Sequence, residues 1–263
     1  MKSNRVKRVL ADGGTALGTM VFEFGTTGIG RIVATSGADF VIFDMEHTGW
    51  STETLKSLFA SCGGTDLVPM ARVPAAQYHL IARALDVGAM GIMVPMVESE
   101  EQARLVAQSA KYPPVGRRGA AFGVAHDDYT GGDVVEKIRS ANAEGLLIAQ
   151  IETAAGLEQV DRIAAVDGID VLWIGHFDLT NSLGIPADFE HPTYLAAVER
   201  VLDACRRNSR AAGFMVASPE EAHAKLDQGF RCLAYWGDLW IYQQALSAAM
   251  QRIRSEGATS PEQ

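Results

Sequence analysis

The chain has 263 residues, of which 48% are apolar and 21% charged, and its net charge is −9. The apolar share is sufficient for a globular core. The acidic balance argues against nucleic acid or a membrane surface as the partner, because both attract clustered Lys and Arg. Cys62, Cys205 and Cys232 show neither CxxC nor Cys/His spacing, so we expect no disulfide framework and no zinc site. There is no signal-peptide core and no apolar run of roughly 18 residues, so we expect a cytoplasmic protein.

Short apolar runs alternate with helical patterns along most of the chain. Strands are predicted at 16–22, 40–44, 67–72, 91–94, 146–151, 171–174, 213–216 and 232–235. Helices are predicted at 27–35, 52–62, 77–86, 100–111, 133–143, 157–166, 193–208, 219–228 and 239–254. Eight strands, each followed by a helix, is the count of an α/β fold of the TIM (β/α)8 barrel type, and we expect a single domain over residues 1–263.

Two segments depart from this alternation. The loop 112–130 is rich in Pro, Gly and charge, and loops of this length in a compact domain are usually functional. Its His126, Asp127 and Asp128 resemble a metal cluster, but solvated acids are the favoured interpretation. The polar tail 255–263 is expected to be frayed.

Polar side chains follow several predicted strands at the point where each strand ends. In a barrel these ends meet on one face, where catalytic groups are found. Glu152 and Asp178 each follow a buried strand, and carboxylate oxygens are the ligands that Mg²⁺ and Mn²⁺ prefer. Taken alone, these two positions are explained equally well by a second interpretation, in which both acids only cap the helices that follow.

Five segments together resemble the HpcH/HpaI aldolase family, whose members are metal-dependent (class II) pyruvate aldolases on a TIM barrel. The resemblance spans about residues 14–246 and is carried by segments 44–47, 94–98, 111–119, 150–153 and 175–180. It implies that Glu152 and Asp178 bind Mg²⁺, Mn²⁺ or Co²⁺, and that the cation stabilises the enolate of the 2-oxo acid. Arg72 would place positive charge near the enolate oxygen, and Gln150 would hold substrate or water at the metal.

The resemblance also implies an acid–base group at the second strand. His47 would be the general base or acid, because an imidazole titrates near neutral pH. Asp86 corresponds to a family acid that pairs with this histidine and fixes its tautomer. Asp44 corresponds to a further family acid near the site.

Substrate binding is expected at the end of the sixth strand. The resemblance implies that the backbone N–H groups of Phe177 and Asp178, which follow Gly175, hold the pyruvate carboxylate. The chain departs from the family here, since many relatives have Gly-Pro-Ala/Ser-Asp where it has Gly-His-Phe-Asp, and Met45 stands where glycine is common. These departures leave hydroxypyruvate or another small 2-oxo acid open as the donor.

Further aromatic and basic residues could serve the same site. Trp50, Trp236 and Trp240 could line the acceptor pocket, although packing is the favoured role for each taken singly. Arg117 and Arg118 would order the long loop or reach a neighbouring subunit, because the resemblance implies a homo-oligomer, commonly a hexamer.

The sequence therefore predicts a divalent-metal-dependent aldolase that reversibly cleaves a 4-hydroxy-2-oxo acid to pyruvate, or hydroxypyruvate, and an aldehyde. No lysine is placed at a strand end, which disfavours Schiff-base chemistry. The alternatives are an oxaloacetate decarboxylase of the macrophomate-synthase type, a CoA-thioester lyase of the citrate-lyase β type, and a non-catalytic barrel.

Overall fold

Eight parallel strands close into a barrel in the order β1 to β8, and β8 pairs back onto β1. The computed structural model describes residues 2–257. The strands are β1 Ala16–Val21, β2 Phe40–Asp44, β3 Val68–Arg72, β4 Gly91–Val94, β5 Leu146–Ile151, β6 Val171–Ile174, β7 Ala211–Val216 and β8 Cys232–Gly237. The predicted TIM (β/α)8 barrel is confirmed.

Twelve α-helices surround the strands within residues 2–257. They are α1 Arg5–Ala11, α2 Ile29–Thr35, α3 Thr52–Ser61, α4 Tyr78–Asp86, α5 Glu100–Ala110, α6 Val134–Glu144, α7 Ala154–Glu158, α8 Val160–Ala164, α9 His176–Ser182, α10 Pro192–Asn208, α11 Pro219–Gln228 and α12 Asp238–Gly257. The single helix predicted at 157–166 is wrong. Thr153 caps a helix that starts earlier, since its Oγ1 accepts the Gly156 N–H at 3.0 Å, and α7 gives way to α8 at Gln159.

The barrel has a hydrophobic core on each side of its strands. One cluster fills the interior and includes Met70, Met93 and Trp173. A larger cluster lies between the strands and the helices and includes Phe43 and Ile92. Because both faces of the strands are buried, the strands read as continuous apolar runs, and each fully buried side chain of this size contributes roughly 1.5–3 kcal/mol to folding.

The ends of the chain are described only in part. Helix α12 continues through residues 255–257, the first part of the tail expected to be frayed, while residues 258–263 lie outside the described residues. Within residues 2–257, no helix is long and apolar enough to span a membrane.

Candidate active site

Alternate residues of each strand point into the barrel, and this alternation carries polar side chains to its carboxyl end. Ile42, Met70, Ile148 and Trp173 belong to the cluster inside the barrel. Residues two positions further along the same strands face the same interior at its upper rim. They are Asp44, Arg72, Gln150 and Gly175.

Arg72 is fixed by two acids, Asp44 at the end of β2 and Glu46 in the loop that follows. Its Nε lies 2.5 Å from Asp44 Oδ1 and 3.2 Å from Glu46 Oε2. Asp44 is fully buried and also accepts the backbone N–H groups of Glu46 at 3.1 Å and His47 at 2.9 Å. The paired charges therefore satisfy one another, and they hold both the guanidinium and the loop in one orientation.

Glu152 is the buried acid at the end of β5, with 2% of its surface exposed. Its Oε1 accepts the Met96 N–H at 2.7 Å, and its Oε2 accepts a hydrogen bond from the Gln150 amide. Burial raises the pKa of Glu152 to about 7, although these two hydrogen bonds oppose the shift. The carboxylates of Glu46 and Asp178 raise the same pKa further, so all three acids share one rim.

The pKa of Glu46 is affected by the same concentration of negative charge. Burial raises its pKa, Arg72 opposes that shift, and Asp44 and Asp178 add to it. Its Oε2 is buried and accepts no hydrogen bond, although Arg72 Nε is within ion-pair distance. The rim therefore has four carboxylates and one cationic side chain, Arg72; the carboxylates are those of Asp44, Glu46, Glu152 and Asp178. This excess of negative charge favours binding of a further cation.

Gly175 allows β6 to approach the buried carboxylate. A Cβ at this position would lie 2.3 Å from Glu152 Oε2 and 2.9 Å from Gln150 Nε2, closer than side chains tolerate. Helix α9 begins at the next residue, and Phe177 and Asp178 therefore occupy its first turn, where backbone N–H groups have no partner within the helix. The side chains of both residues are exposed at the rim.

The residues present fit a hard divalent cation that takes few protein ligands. Among residues 2–257, no group of three or more His, Cys, Asp or Glu side chains is placed to hold a metal ion. Two carboxylates, Glu152 and Asp178, are nevertheless a sufficient protein contribution when substrate and water supply the other oxygens. The buried Gln150 Oε1, which accepts no hydrogen bond, adds a further unsatisfied oxygen beside Glu152.

Within residues 2–257, Asp86 pairs with Arg118 rather than with His47. Asp86 is the last residue of α4, which runs from the carboxyl end of β3 back to the amino end of the barrel, and it accepts hydrogen bonds from Arg118 at 2.6 and 3.1 Å. The acid beside His47 is its neighbour Glu46, whose Oε2 lies 3.8 Å from the imidazole Nε2. The imidazole remains 59% exposed at the rim.

The long loop 112–130 lies at the amino end as well. Arg118 bridges Asp86 and packs on the Tyr112 ring at 4.7 Å. The interpretation of Asp127 as a solvated acid is wrong, since it is 1% exposed and pairs with Lys137 at 2.6 Å. This pair and a hydrogen bond from Gly123 N–H lower the pKa of Asp127 against the effect of burial. The loop is therefore anchored to the barrel rather than placed over the rim.

Lys111 at the start of this loop is also buried. Burial lowers its pKa to about 8. Its ammonium donates to the carbonyls of Asn142 and Gly145 at the end of α6, which gives it a role in ending that helix at the amino end of the barrel.

The three tryptophans proposed for the acceptor pocket divide into two groups. Trp50 packs against the Phe43 ring at 6.4 Å and belongs to the core outside the barrel. Trp236 and Trp240 stack at 6.4 Å on the rim, where Trp240 also meets Phe22 at 5.0 Å.

Sequence reasoning missed three residues of the rim. Glu46 has the same strand parity as Asp44 and could have been found by that pattern. Phe22 has the parity of the inward Met20, and its ring lies 5.8 Å from the Arg72 guanidinium carbon. Met96 contributes only its backbone N–H, in a left-handed conformation with φ 53°, which no side-chain pattern reveals.

A parallel α/β barrel that gathers carboxylates, a guanidinium and an imidazole at the carboxyl ends of its strands has the architecture of an enzyme. A family model described as HpcH/HpaI aldolase/citrate lyase matches residues 20–238. The chain belongs to this family, and it is an enzyme of the aldolase type, a carbon–carbon lyase.

Individual relatives agree with this assignment. The chain is 35% identical over 260 residues to a 2-keto-3-deoxy-L-rhamnonate aldolase of Klebsiella pneumoniae, covering 99% of this chain and 97% of the relative. An HpcH/HpaI aldolase from Desulfitobacterium hafniense has a TM-score of 0.91 at 30% identity, covering 97% of each chain. A family member from Burkholderia cenocepacia has a TM-score of 0.89 at 31% identity, covering 96% of this chain and 100% of its own.

Proposed function

We propose that the chain is a divalent-metal-dependent aldolase that reversibly cleaves a 4-hydroxy-2-oxo acid into pyruvate, or hydroxypyruvate, and an aldehyde. The observation that carries this proposal is that the buried Glu152, the exposed Asp178 and the fixed guanidinium of Arg72 lie on one rim. The relatives named 2-keto-3-deoxy-L-rhamnonate aldolase support it, because a 2-keto-3-deoxy aldonic acid is a 4-hydroxy-2-oxo acid.

Glu152 and Asp178 would hold the cation, with Mg²⁺, Mn²⁺ and Co²⁺ as the candidates. When bound, a divalent cation supplies Lewis-acid polarisation of the donor's 2-oxo group. Gln150 orients Glu152 through its amide, and its free Oε1 would accept a hydrogen bond from a hydroxyl of the substrate. A hydroxyl on the donor, as in hydroxypyruvate, is one group that could use this acceptor.

Arg72 would neutralise the charge that develops on the donor oxygen. Asp44 and Glu46 hold its Nε side, which leaves the remaining N–H groups of the guanidinium as donors toward the barrel mouth. A charge fixed before the reaction needs no reorganisation as the donor oxygen becomes an oxyanion. The backbone N–H groups of Phe177 and Asp178 would bind the donor carboxylate at the start of α9.

In the addition direction, His47 would remove a proton from C3 of the donor and deliver one to the aldehyde oxygen, which becomes the 4-hydroxyl. In cleavage, it would take the 4-hydroxyl proton as the C3–C4 bond breaks, and C3 of the enolate would be protonated. Its exposed imidazole can reach substrate in the mouth, and Asp44 fixes its backbone through the N–H hydrogen bond at 2.9 Å. Glu46, at 3.8 Å, would orient the imidazolium, which is the role that the sequence assigned to Asp86.

The test follows the C3 protons of pyruvate by NMR in D₂O, with Mn²⁺ or Mg²⁺ and then with EDTA. We expect metal-dependent deuterium exchange in the wild type and a loss of at least about 100-fold in Glu152→Ala, since one metal ligand is removed. Glu101→Ala is the matched control, because Glu101 is an exposed acid on the outer ring of helices and is not one of the candidate site residues.

Other outcomes separate the alternatives. Exchange that persists in EDTA would contradict the metal requirement. No exchange with pyruvate or hydroxypyruvate under any metal would contradict the donor assignment, and binding of CoA would then favour a thioester lyase. Release of CO₂ from oxaloacetate without any aldehyde product would favour the decarboxylase.

A homo-oligomer is also proposed, commonly a hexamer in the family that the sequence resembles. Helix α12 supports a self-contact, because its Tyr242, Leu246, Met250 and Ile253 are exposed apolar residues at helical spacing. The small-molecule 2-oxo acid and aldehyde are the expected partners, and the cytoplasm is the expected location.

A further inference from the structure

A row of three aromatic rings lies where β8 closes the barrel against β1. Phe22 meets Trp240 edge to face at 5.0 Å, and Trp240 stacks on Trp236 at 6.4 Å with 20° between the planes. The row starts at the candidate site, because the Arg72 guanidinium carbon lies 5.8 Å from the Phe22 ring centroid. We call Phe22, Trp240 and Trp236 the aromatic wall.

A strand irregularity places Trp236 in this wall. Gly18 pairs with Ala234 and Met20 with Gly237, so two residues of β8 oppose a single residue of β1. Such a bulge re-aims side chains at a barrel rim. Trp236 has φ 44°, a left-handed conformation that is unfavourable for a bulky side chain, and strain of this kind clusters at functional sites.

The surrounding backbone holds the wall in place. A Cβ on Gly237 would lie 2.8 Å from ring atoms of both Phe22 and Trp240, so the glycine lets the two rings meet. The carboxylate of Asp238 accepts the backbone N–H groups of Phe22 at 2.8 Å, Glu23 at 3.0 Å and Phe24 at 2.6 Å. Thr19 donates its hydroxyl to the Tyr235 carbonyl at 2.7 Å, which satisfies a group that the bulge frees from the ladder.

We propose that the aromatic wall is the acceptor subsite and that it selects neutral aldehydes with a hydrocarbon face over carboxylated ones. The inference rests on the proposed function, in which Arg72 marks the reacting end of the donor. The new carbon–carbon bond forms beside Arg72, and the acceptor chain then extends along the rings that begin there. Aromatic faces bind C–H groups by burying apolar area.

Charge at the rim points to the same selectivity. Arg72 is paired with Asp44 and Glu46 through its Nε, and in the proposed function its remaining N–H groups serve the donor oxygen. A carboxylate at the far end of the acceptor therefore gains no ion pair from Arg72. The acids of the rim repel such a carboxylate. A polar substrate tail would also leave its oxygens facing rings that offer few hydrogen bonds.

The test compares butanal with succinic semialdehyde, two acceptors of equal carbon count that differ in a terminal carboxylate. Rates of aldol addition with pyruvate are divided by the rate of pyruvate C3 exchange of the same variant, so that donor activation cancels. We expect the normalised kcat/KM of the wild type to be at least about tenfold higher for butanal than for succinic semialdehyde. In Trp236→Gly this ratio of the two kcat/KM values should fall about tenfold. Glycine adopts a φ of 44° without strain, so the substitution adds no backbone strain at the bulge.

Two further variants complete the design. Trp240→Leu removes the middle ring and should reduce the preference for butanal in the same way. Trp50→Phe is the matched control, because Trp50 packs against Phe43 outside the barrel, and its preference should equal that of the wild type.

The results distinguish a failure of the proposed function from a failure of the acceptor subsite alone. Absence of donor exchange in the wild type would overturn the proposed function and the subsite together. Normal exchange with an unchanged butanal preference in both Trp236→Gly and Trp240→Leu would overturn the subsite alone. A change of molecular mass in these variants without a change of preference would also overturn it, because the wall would then be a contact between subunits.

Discussion

The raised pKa of a single residue, Glu152, makes the proposed metal binding dependent on pH. Burial raises its pKa to about 7, so the carboxyl of the metal-free enzyme is protonated below that pH. In the proposed function a divalent cation binds this carboxylate, and it must then displace the proton. We expect Mn²⁺ binding to release about one proton per site at pH 6 and almost none at pH 8.5, measured by titration calorimetry in buffers of different ionisation enthalpy.

The control for this experiment is Glu152→Gln. The amide has no proton to lose, so any residual Mn²⁺ binding should be free of proton release at both pH values. Equal proton release by the wild type at pH 6 and pH 8.5 would show that Glu152 does not titrate as the metal binds.

Gly175 is a second residue whose size decides the geometry of the site. In Gly175→Ala the new methyl group would meet Glu152 Oε2 at 2.3 Å, and the carboxylate would have to turn away. We expect Mn²⁺ affinity to fall at least about tenfold, as for loss of a supporting contact, while the circular dichroism spectrum stays that of the wild type. Electron paramagnetic resonance of free Mn²⁺ measures the affinity, and unchanged binding would argue that the carboxylate has another position open to it.

Single residues also show what the sequence could and could not predict about the site. Glu152, Arg72 and Asp44 were placed at the rim correctly because strand parity and the carboxyl ends of strands fix their positions. Asp86 was correctly predicted to end a helix, but a helix after a strand returns the chain to the opposite end of the barrel, away from His47 of the same chain. Its pairing with Arg118 depends on a loop 32 residues away, which no local pattern encodes.

At the scale of elements, buried parallel strands were the most predictable parts of the fold. β2, β4, β5 and β6 have the predicted bounds, because a strand buried on both faces is a continuous apolar run that ends at a polar residue, glycine or proline. β8 was predicted two residues too short. Its extension passes through the left-handed Trp236, and only pairing with β1 stabilises that conformation.

The junction of β8, α12 and the loop after β1 depends on Asp238. Its carboxylate accepts three backbone N–H groups at 2.6–3.0 Å from residues 22–24. We expect Asp238→Ala to lower the free energy of unfolding by about 2–4 kcal/mol, because several donors lose a charged acceptor at once. Urea unfolding followed by tryptophan fluorescence measures the loss.

Asp203→Ala is the control for that experiment, since Asp203 is an exposed acid of α10 whose ion pair is solvated, and such pairs contribute less than about 1 kcal/mol. Equal effects of the two substitutions would mean that the loop after β1 is held by its rings rather than by the carboxylate. The aromatic wall would then depend less on Asp238 than its hydrogen bonds indicate.

At the scale of the whole molecule, the two ends of the barrel differ in the use of their charges. At the amino end the buried pair Lys137–Asp127 and the partly exposed pair Arg118–Asp86 anchor a long loop, and each of these charges has a partner. At the carboxyl end the acids outnumber the cation that they face. The first arrangement stabilises a structure, whereas the second leaves charge to be compensated by metal and substrate.

The outer surface carries one feature that the barrel itself does not use. Helix α12 is 20 residues long, and it exposes 56% of Tyr242, 43% of Leu246, 39% of Met250 and 63% of Ile253. Their spacing places them along one stripe of the helix, and exposed stripes of this length are usually covered by a partner. A second copy of the chain is the partner that a homo-oligomer supplies.

The stripe predicts how the proposed homo-oligomer can be disrupted. Leu246→Lys combined with Met250→Lys puts two charges into the contact, and burying them without partners costs several kcal/mol. We expect the mass measured by sedimentation velocity at micromolar concentration to fall below that of the wild type, while Gln251→Lys, a charge on another face of α12, leaves it unchanged. A wild-type chain that sediments as a monomer would remove the oligomer from the proposal. If the double variant kept the wild-type mass, the subunits would have to meet through another surface, because burying two lysines in the stripe would weaken the contact.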